Sequence, residues 1–246
     1  MFRLILVVLF LTIFFLMGIV LCPIMYLVGL FNKKARDYMA FYVVKGALKL
    51  ILFLSGTKAT VKGLENIPKD RAVLYVGNHR SFFDIVLIYS LIPPTAGFVA
   101  KKEIKKVFPL AVWMHLMNCL FLDRSSPEAA IKMIHDGMDK INNGISIFIF
   151  PEGTRAKTDD EIMPFKEGSL KMAKRCNCDI VPVAVNNTSA ILEDQFPKIK
   201  SSRVCIEFGE PIVIDNLSKE DKKAIGLYSY NIVKDMVTKN GELIKK

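Results

Sequence analysis

From Leu4 to Phe31 the chain reads LILVVLFLTIFFLMGIVLCPIMYLVGLF, without one charged residue. About 18 apolar residues are enough for a helix to cross a membrane. A cleaved signal peptide fits this run poorly, because the run is too long and no A-x-A site follows it. A helix buried in an ordinary core seldom needs so long an uninterrupted run. The expectation is therefore a helix in contact with a bilayer. Pro23 falls inside the run and is expected to end or kink that helix, since proline lacks an N–H and its ring crowds the preceding turn.

The flanking charges fix a side. Arg3 precedes the run, and Lys33, Lys34 and Arg36 follow it. An excess of Lys and Arg marks the cytoplasmic flank of a membrane segment. The rest of the chain is thus expected at the cell membrane, facing the cytoplasm. The next segment, YMAFYVVKGALKLILFL, carries Lys45 and Lys49 four residues apart on one helical face. It reads as an interfacial helix with its lysines toward head groups. Two alternatives stay open: an ordinary helix packed on the rest of the chain, or a hairpin whose two arms dip into one leaflet.

Composition supports a lipid partner. Hydrophobic residues make up 52% of the chain, and the net charge is +10. Positive charge suits nucleic acid or anionic head groups. Coupled to an apolar excess it favours the bilayer, and no nucleic-acid partner is expected. The five cysteines show no zinc spacing, and Cys176 and Cys178 in RCNC are too close for an ordinary disulfide framework. Reduced thiols in a reducing compartment are the reading.

After Gly56 the pattern becomes an alternation of short strands and helices. KATVKG, AVLYVGN, GFVAK, CLFLDR, SIFIFPEG, DIVPVAV and RVCIEFGEPIVI read as strands. SFFDIVLIYSL, KEIKKVFPLAVWMHLM on both sides of Pro109, PEAAIKMIHDGMDKIN, FKEGSLKMAKRC and a polar segment from about Ser218 read as helices. Such alternation predicts the α/β class: a single sandwich domain with a largely parallel, mixed sheet flanked by helices. It is preceded by an N-terminal two-helix segment, membrane-embedded or interfacial. The division is residues 1–55 as anchor and 56–246 as the domain that carries the chemistry.

His79, Arg124 and PEGTR (151–155) all fall at or just beyond the ends of predicted strands, where open α/β sheets bind ligands. The stretch GNHRSFFDIV (77–86) joins one of only three histidines to Asp84, five residues on. With Ser81 as helix N-cap, Asp84 becomes the third helical residue, and S-x-x-D is a capping-box variant. The same carboxylate can reach back across the strand-to-helix turn. There it would accept the Nδ1 hydrogen of His79 and leave Nε2 as a base. No G-x-S-x-G nucleophile elbow occurs, so direct attack by a substrate hydroxyl on an activated acyl group is the simpler chemistry. Backbone N–H groups at the start of the Ser81 helix are expected to face the oxyanion. His115 and His135 lie on predicted helices without acidic partners at ligand spacing, so no metal site is expected. In FPEGTR, glycine permits an unusual turn while Thr154 and Arg155 offer donors suited to phosphate. Arg124 and Lys102 are further candidates for an anionic ligand.

Taken together, NHRSFFD, LFLDR (120–124), FPEGTR and VPVAV (181–185 with Pro182) resemble, in order, the motifs of the glycerolipid acyltransferases, the lysophosphatidic acid acyltransferases. FKEGSLKMA (165–173) also resembles that family, and the match spans about residues 55–215. The resemblance implies a His79–Asp84 dyad. It implies contacts from Glu152, Gly153, Thr154, Arg155 and Arg124 to a glycerol phosphate, with Lys101 or Lys102 assisting. It implies acyl transfer from acyl-CoA or acyl carrier protein, used as donor substrate and not as cofactor, to the free hydroxyl of 1-acylglycerol 3-phosphate. The product is phosphatidic acid, and the bilayer is the expected site of work. Two positions depart from the family pattern. MNCLFLDR has Asn118 and Cys119 where a glycine is usual before the strand, and FPLAVW lacks a glycine after Pro109. The alternatives are another lysophospholipid or lyso-aminolipid acceptor, a lipid-binding protein without catalysis, and a serine hydrolase using Ser81.

Overall fold

The structure is a computed structural model and describes residues 1–157 and 161–244. It opens with helix α1, Phe2–Phe31, and helix α2, Lys33–Ser55. Pro23 neither ends α1 nor begins a new element. Among apolar surroundings a helix continues past the one hydrogen bond proline removes, because nothing else is there to solvate its backbone. The break comes at Asn32, which is extended and whose side chain accepts the Ala35 N–H at 2.9 Å, capping α2. Gly56, with φ of +70°, closes α2. The two helices run antiparallel, with the Arg3 guanidinium donating to the Leu54 carbonyl at the far end of α2.

Helix α2 is not free of the rest. It packs on α3 (Phe82–Leu91) and α4 (Phe108–Leu116). The ring of Phe41 meets that of Tyr89 at 4.9 Å. The expectation that Lys45 faces head groups is corrected here. Its ammonium donates to the carbonyls of Leu91 at 3.3 Å and Ile92 at 2.7 Å, at the C-terminal end of α3. Those carbonyls lack helical partners, and a cation is favoured at that end of the helix dipole. Lys49 remains exposed. Helix α2 thus packs on α3 and α4 and also pairs with α1 as an antiparallel helical hairpin. Helix α1 lies on α2 and reaches α4, where Phe14 stacks on Trp113 at 4.9 Å. The outer face of α1, with Ile5, Leu9, Ile13, Leu16, Val20 and Leu27, stays apolar and exposed. Both helices are long and apolar enough to cross a membrane.

Among the described residues, seven strands form one mixed sheet in the order β1-β7-β6-β2-β5-β3-β4. They are β1 Lys58–Lys62, β2 Leu74–Gly77, β3 Ala96–Lys101, β4 Leu120–Leu122, β5 Ser146–Ile149, β6 Ile180–Asn186 and β7 Arg203–Phe208. Every pairing is parallel except β6 with β7. Alternation along a strand sends neighbours to opposite faces. In β2, Tyr75 joins the core under α1–α4, while Leu74 and Val76 join the core under α5 (Pro127–Asn142), α6 (Lys171–Cys176) and α8 (Ile225–Ile244). In β5, Phe148 goes one way and Ile147 and Ile149 the other. Both faces are buried, which is why these strands read as unbroken apolar runs. A short α7, Lys219–Lys223, is capped by Ser218.

Several predicted elements are shorter than read. RVCIEFGEPIVI stops pairing at Phe208, before Gly209 and Pro211, and returns only as a single bridge from Ile212 to Ile180. KEIKK and EGSL are 3-10 turns ahead of α4 and α6. The departure at Asn118 has a plain explanation. Asn118 sits at φ of +59°, a left-handed conformation that asparagine tolerates better than most residues. It keeps the turn into β4 that a glycine would make.

Candidate active site

The central strands β6, β2 and β5 are parallel, so their C-terminal ends share one edge of the sheet. His79 follows β2 on that edge, the PEGTR turn follows β5, and Thr188 follows β6. Asn78 ties the first of these to its neighbour. Its side-chain amide donates to the Val185 carbonyl at 2.8 Å and accepts the Val185 N–H at 2.9 Å, extending β2 by one residue of side chain.

Ser81 is the N-cap of α3 and Asp84 its third residue, with both halves of the capping box formed. One carboxylate both closes the capping box and meets the imidazole. Its Oδ2 accepts the N–H groups of Arg80 at 2.7 Å and Ser81 at 2.8 Å, and meets His79 Nδ1 at 2.8 Å. The Asp84 side chain is 0% exposed, whereas that of His79 is 18% exposed. A carboxylate held this way fixes the tautomer that protonates Nδ1 and leaves Nε2 as proton acceptor. Among the described residues, Nε2 makes no hydrogen bond.

The turn after β5 is stitched to His79 in three places. The Phe150 ring stacks on the imidazole, the Glu152 carboxylate accepts the His79 N–H at 2.8 Å, and the Ala156 N–H donates to the His79 carbonyl at 2.8 Å. Glu152 is buried, and its second oxygen accepts the Met163 N–H at 3.4 Å. Burial pushes its carboxyl up to about 8, against the pull of these two N–H bonds, and the charge of Asp84 adds to the push. Glu152 thus lies beneath the site as a brace. Gly153 has φ of +75°, which only glycine adopts freely. Its carbonyl accepts from the Arg124 guanidinium, and a Cβ there would stand 2.9 Å from Lys166 Nζ. Arg124 and Lys166 therefore flank one turn. Thr154 is exposed. Arg155 lies over the Phe82 ring at 4.1 Å and pairs with Glu193 at 3.4 Å.

Lys102 is placed in an ion pair with Asp123 at 2.7 Å and also meets Ser125. The Lys102 bond, with help from Ser125, holds the Asp123 carboxyl down to about 2. The expected oxyanion site at the start of α3 is corrected. The N–H groups of Arg80 and Ser81 go to Asp84, that of Phe82 to Glu193 at 2.8 Å, and that of Phe83 to Ser81 Oγ at 2.9 Å. Ser81 Oγ in turn donates to Glu193 at 2.7 Å, which leaves it a cap and not a nucleophile aimed at His79. Sequence reasoning missed Phe150, Glu193, Thr188 and the placement of Lys166. Only Lys166 and Phe150 had a sequence signal, each lying beside or within a motif.

A histidine held by a buried carboxylate, beside a glycine turn flanked by cations, is an arrangement suited to transfer of a group to a hydroxyl on an anionic molecule. The comparisons agree with that class. Residues 58–186 match the family model described as Acyltransferase, and the chain belongs to the acyltransferase family. Similar proteins include the 1-acyl-sn-glycerol-3-phosphate acyltransferase of Saccharomyces cerevisiae, 32% identical over 77% of this chain and 61% of that one. The enzyme of the same name from Borreliella burgdorferi is 30% identical over 84% of this chain and 81% of that one. The crystal structure of the 1-acyl-sn-glycerophosphate (LPA) acyltransferase PlsC from Thermotoga maritima shares the fold. Its TM-score is 0.75 at 23% identity, covering 96% of this chain and 97% of that one.

Proposed function

We propose that this chain moves an acyl group from a thioester to the free hydroxyl of 1-acylglycerol 3-phosphate, forming phosphatidic acid. The observation that carries this reading is the His79–Asp84 pair held at the strand edge beside the Gly153 turn. His79 Nε2 takes the proton of the acceptor hydroxyl as its oxygen attacks the thioester carbonyl. The C–O bond forms, the C–S bond breaks, and the imidazolium returns the proton to the leaving thiolate. A thioester is already activated, so no acyl-enzyme is required. A placed general base supplies roughly 10²–10⁴-fold, and alignment of the two substrates supplies more.

Arg124, Lys166 and Arg155 are the cations that would hold the acceptor phosphate. The names of the relatives support a phosphorylated lysolipid as acceptor. Acyl-CoA and acyl carrier protein are both donors that a chain of net charge +10 can meet. The exposed apolar face of α1 rests in the membrane where the lysolipid resides, with the active site on the cytoplasmic side.

The test is thiol release in mixed micelles, with each donor, with and without 1-acylglycerol 3-phosphate, beside His79→Ala. Release that requires the lysolipid, yields phosphatidic acid and is lost in the variant supports the reading. Release without acceptor indicates a thioesterase and sinks it. No release by folded protein with either donor points to a different acceptor or to a lipid-binding role.

A further inference from the structure

We propose that Thr188 is a positioning residue of the dyad, its hydroxyl locking the carboxylate of Asp84 that orients His79. The proposal rests on His79 acting as the base. Asp84 is wholly buried, and a buried carboxylate is stable only when its oxygens are satisfied. Oδ2 has its three N–H partners from His79, Arg80 and Ser81. Oδ1 receives the Thr188 hydroxyl, from a residue 104 positions away. One oxygen is held by α3 and its approach, the other by the segment after β6. Only the two together stop the carboxylate plane from turning.

The segment is built for that approach. Asn187 takes φ of +63°, turning the chain sharply as β6 ends. Thr188 follows, wholly buried. Farther along, Glu193 takes the Ser81 hydroxyl and the Phe82 N–H, and Asp194 pairs with Arg80 at 3.3 Å and accepts from Ser189 at 2.7 Å. The segment thus closes over the start of α3. Thr188 lies beyond residues 58–186, the stretch that the family model matches.

Without the hydroxyl, Oδ1 is left buried and undonated, the carboxylate turns, and the imidazole loses its alignment. Substrate contacts are untouched, so turnover falls and binding does not. Thr188→Val keeps the shape and removes the donor; Thr188→Ser keeps the donor. Steady-state rates with acyl-CoA and 1-acylglycerol 3-phosphate are expected to show kcat down about 10–100-fold in Thr188→Val, the cost of a small misplacement. KM for each substrate is expected to stay within about twofold, and Thr188→Ser to recover most of the loss. Thr188→Ala replaces the valine variant if that one melts below the assay temperature. Wild-type kcat in the valine or alanine variant overturns the proposal, as does an equal loss in Thr188→Ser, or a loss carried by KM. His79→Ala separates the two levels. If it retains transfer, the general-base reading fails. If it is inactive while Thr188→Val is fully active, only the role of Thr188 fails.

Discussion

The ring of Phe150 lies flat on the imidazole of His79, centroids 4.0 Å apart and planes 15° apart. Asp84 fixes the ring through one nitrogen, and Phe150 fixes its tilt. A single hydrogen bond leaves a ring free to rock about that bond, and a stacked neighbour removes this freedom. Phe150→Ala is expected to lower kcat about tenfold with KM for the lysolipid nearly unchanged. Phe150→Tyr, which keeps the stack, should retain most of the rate. Steady-state kinetics of the two variants decides it, and equal losses would rule out stacking as the cause.

Glu152 gives the fold a pH dependence. Its ordinary value is 4.5, and burial raises it to about 8 in the native chain. Between these values the native state keeps a proton that the unfolded state has lost. The stability from that proton is complete below about pH 4.5 and is lost as pH rises toward 8. Glu152→Gln cannot titrate, and its amide oxygen can still accept the His79 N–H. Melts at pH 5, 6, 7 and 8 should show the variant gaining on the parent by several degrees across the range, at roughly 2–4 °C per kcal/mol for a chain of this size. A difference that is flat with pH would mean that the carboxyl is ionised throughout.

Arg124 is expected to serve the acceptor's phosphate as well as the Gly153 carbonyl. A hydrogen bond to a charged group contributes about 1.5–3 kcal/mol, which is roughly 10–150-fold in affinity. Arg124→Ala should raise KM for 1-acylglycerol 3-phosphate by about that factor. With 1-monoacylglycerol, which lacks the phosphate, the same variant should match the parent. Equal losses with both acceptors would place the effect in the turn and not in phosphate recognition.

Trp113 is the only tryptophan and is buried against α1, under Phe14 and beside Gly18. A Cβ at Gly18 would stand 2.9 Å from the indole Nε1. Gly18→Leu should therefore lift α1 from α4. Tryptophan emission should move to longer wavelength, and the melting temperature should fall. Unchanged emission would mean that α1 is not seated on Trp113.

The alternation after Gly56 was legible because the central strands are short apolar runs and some helices carry a start signal, as α3 does at Ser81. The His79–Asp84 contact was legible because the capping spacing also brings the carboxylate to the imidazole. What could not be read is what arrives from far along the chain. Thr188 and Glu193 reach α3 across 104 and 112 positions, and neither belongs to a motif. Lys45 illustrates a second kind of miss. Periodicity assigns a lysine to a face, but not to the carbonyls of Leu91 and Ile92 that happen to lie opposite. The oxyanion expectation failed similarly, because a helix start advertises donors without showing that Asp84 and Glu193 already use them.

The bond from Lys45 to the end of α3 bears on how a soluble version of this chain would behave. Helix α3 carries Asp84 at its beginning and is held at its other end by a residue of α2. Cutting away the first two helices would do more than remove an exposed apolar surface. It would uncap α3, bare the Tyr89 ring that Phe41 covers, and strip Met25, Phe41, Val44 and Ile51 from one core. Solubility engineering here is better directed at the outward residues of α1 than at its removal, because these two helices are also part of the scaffold.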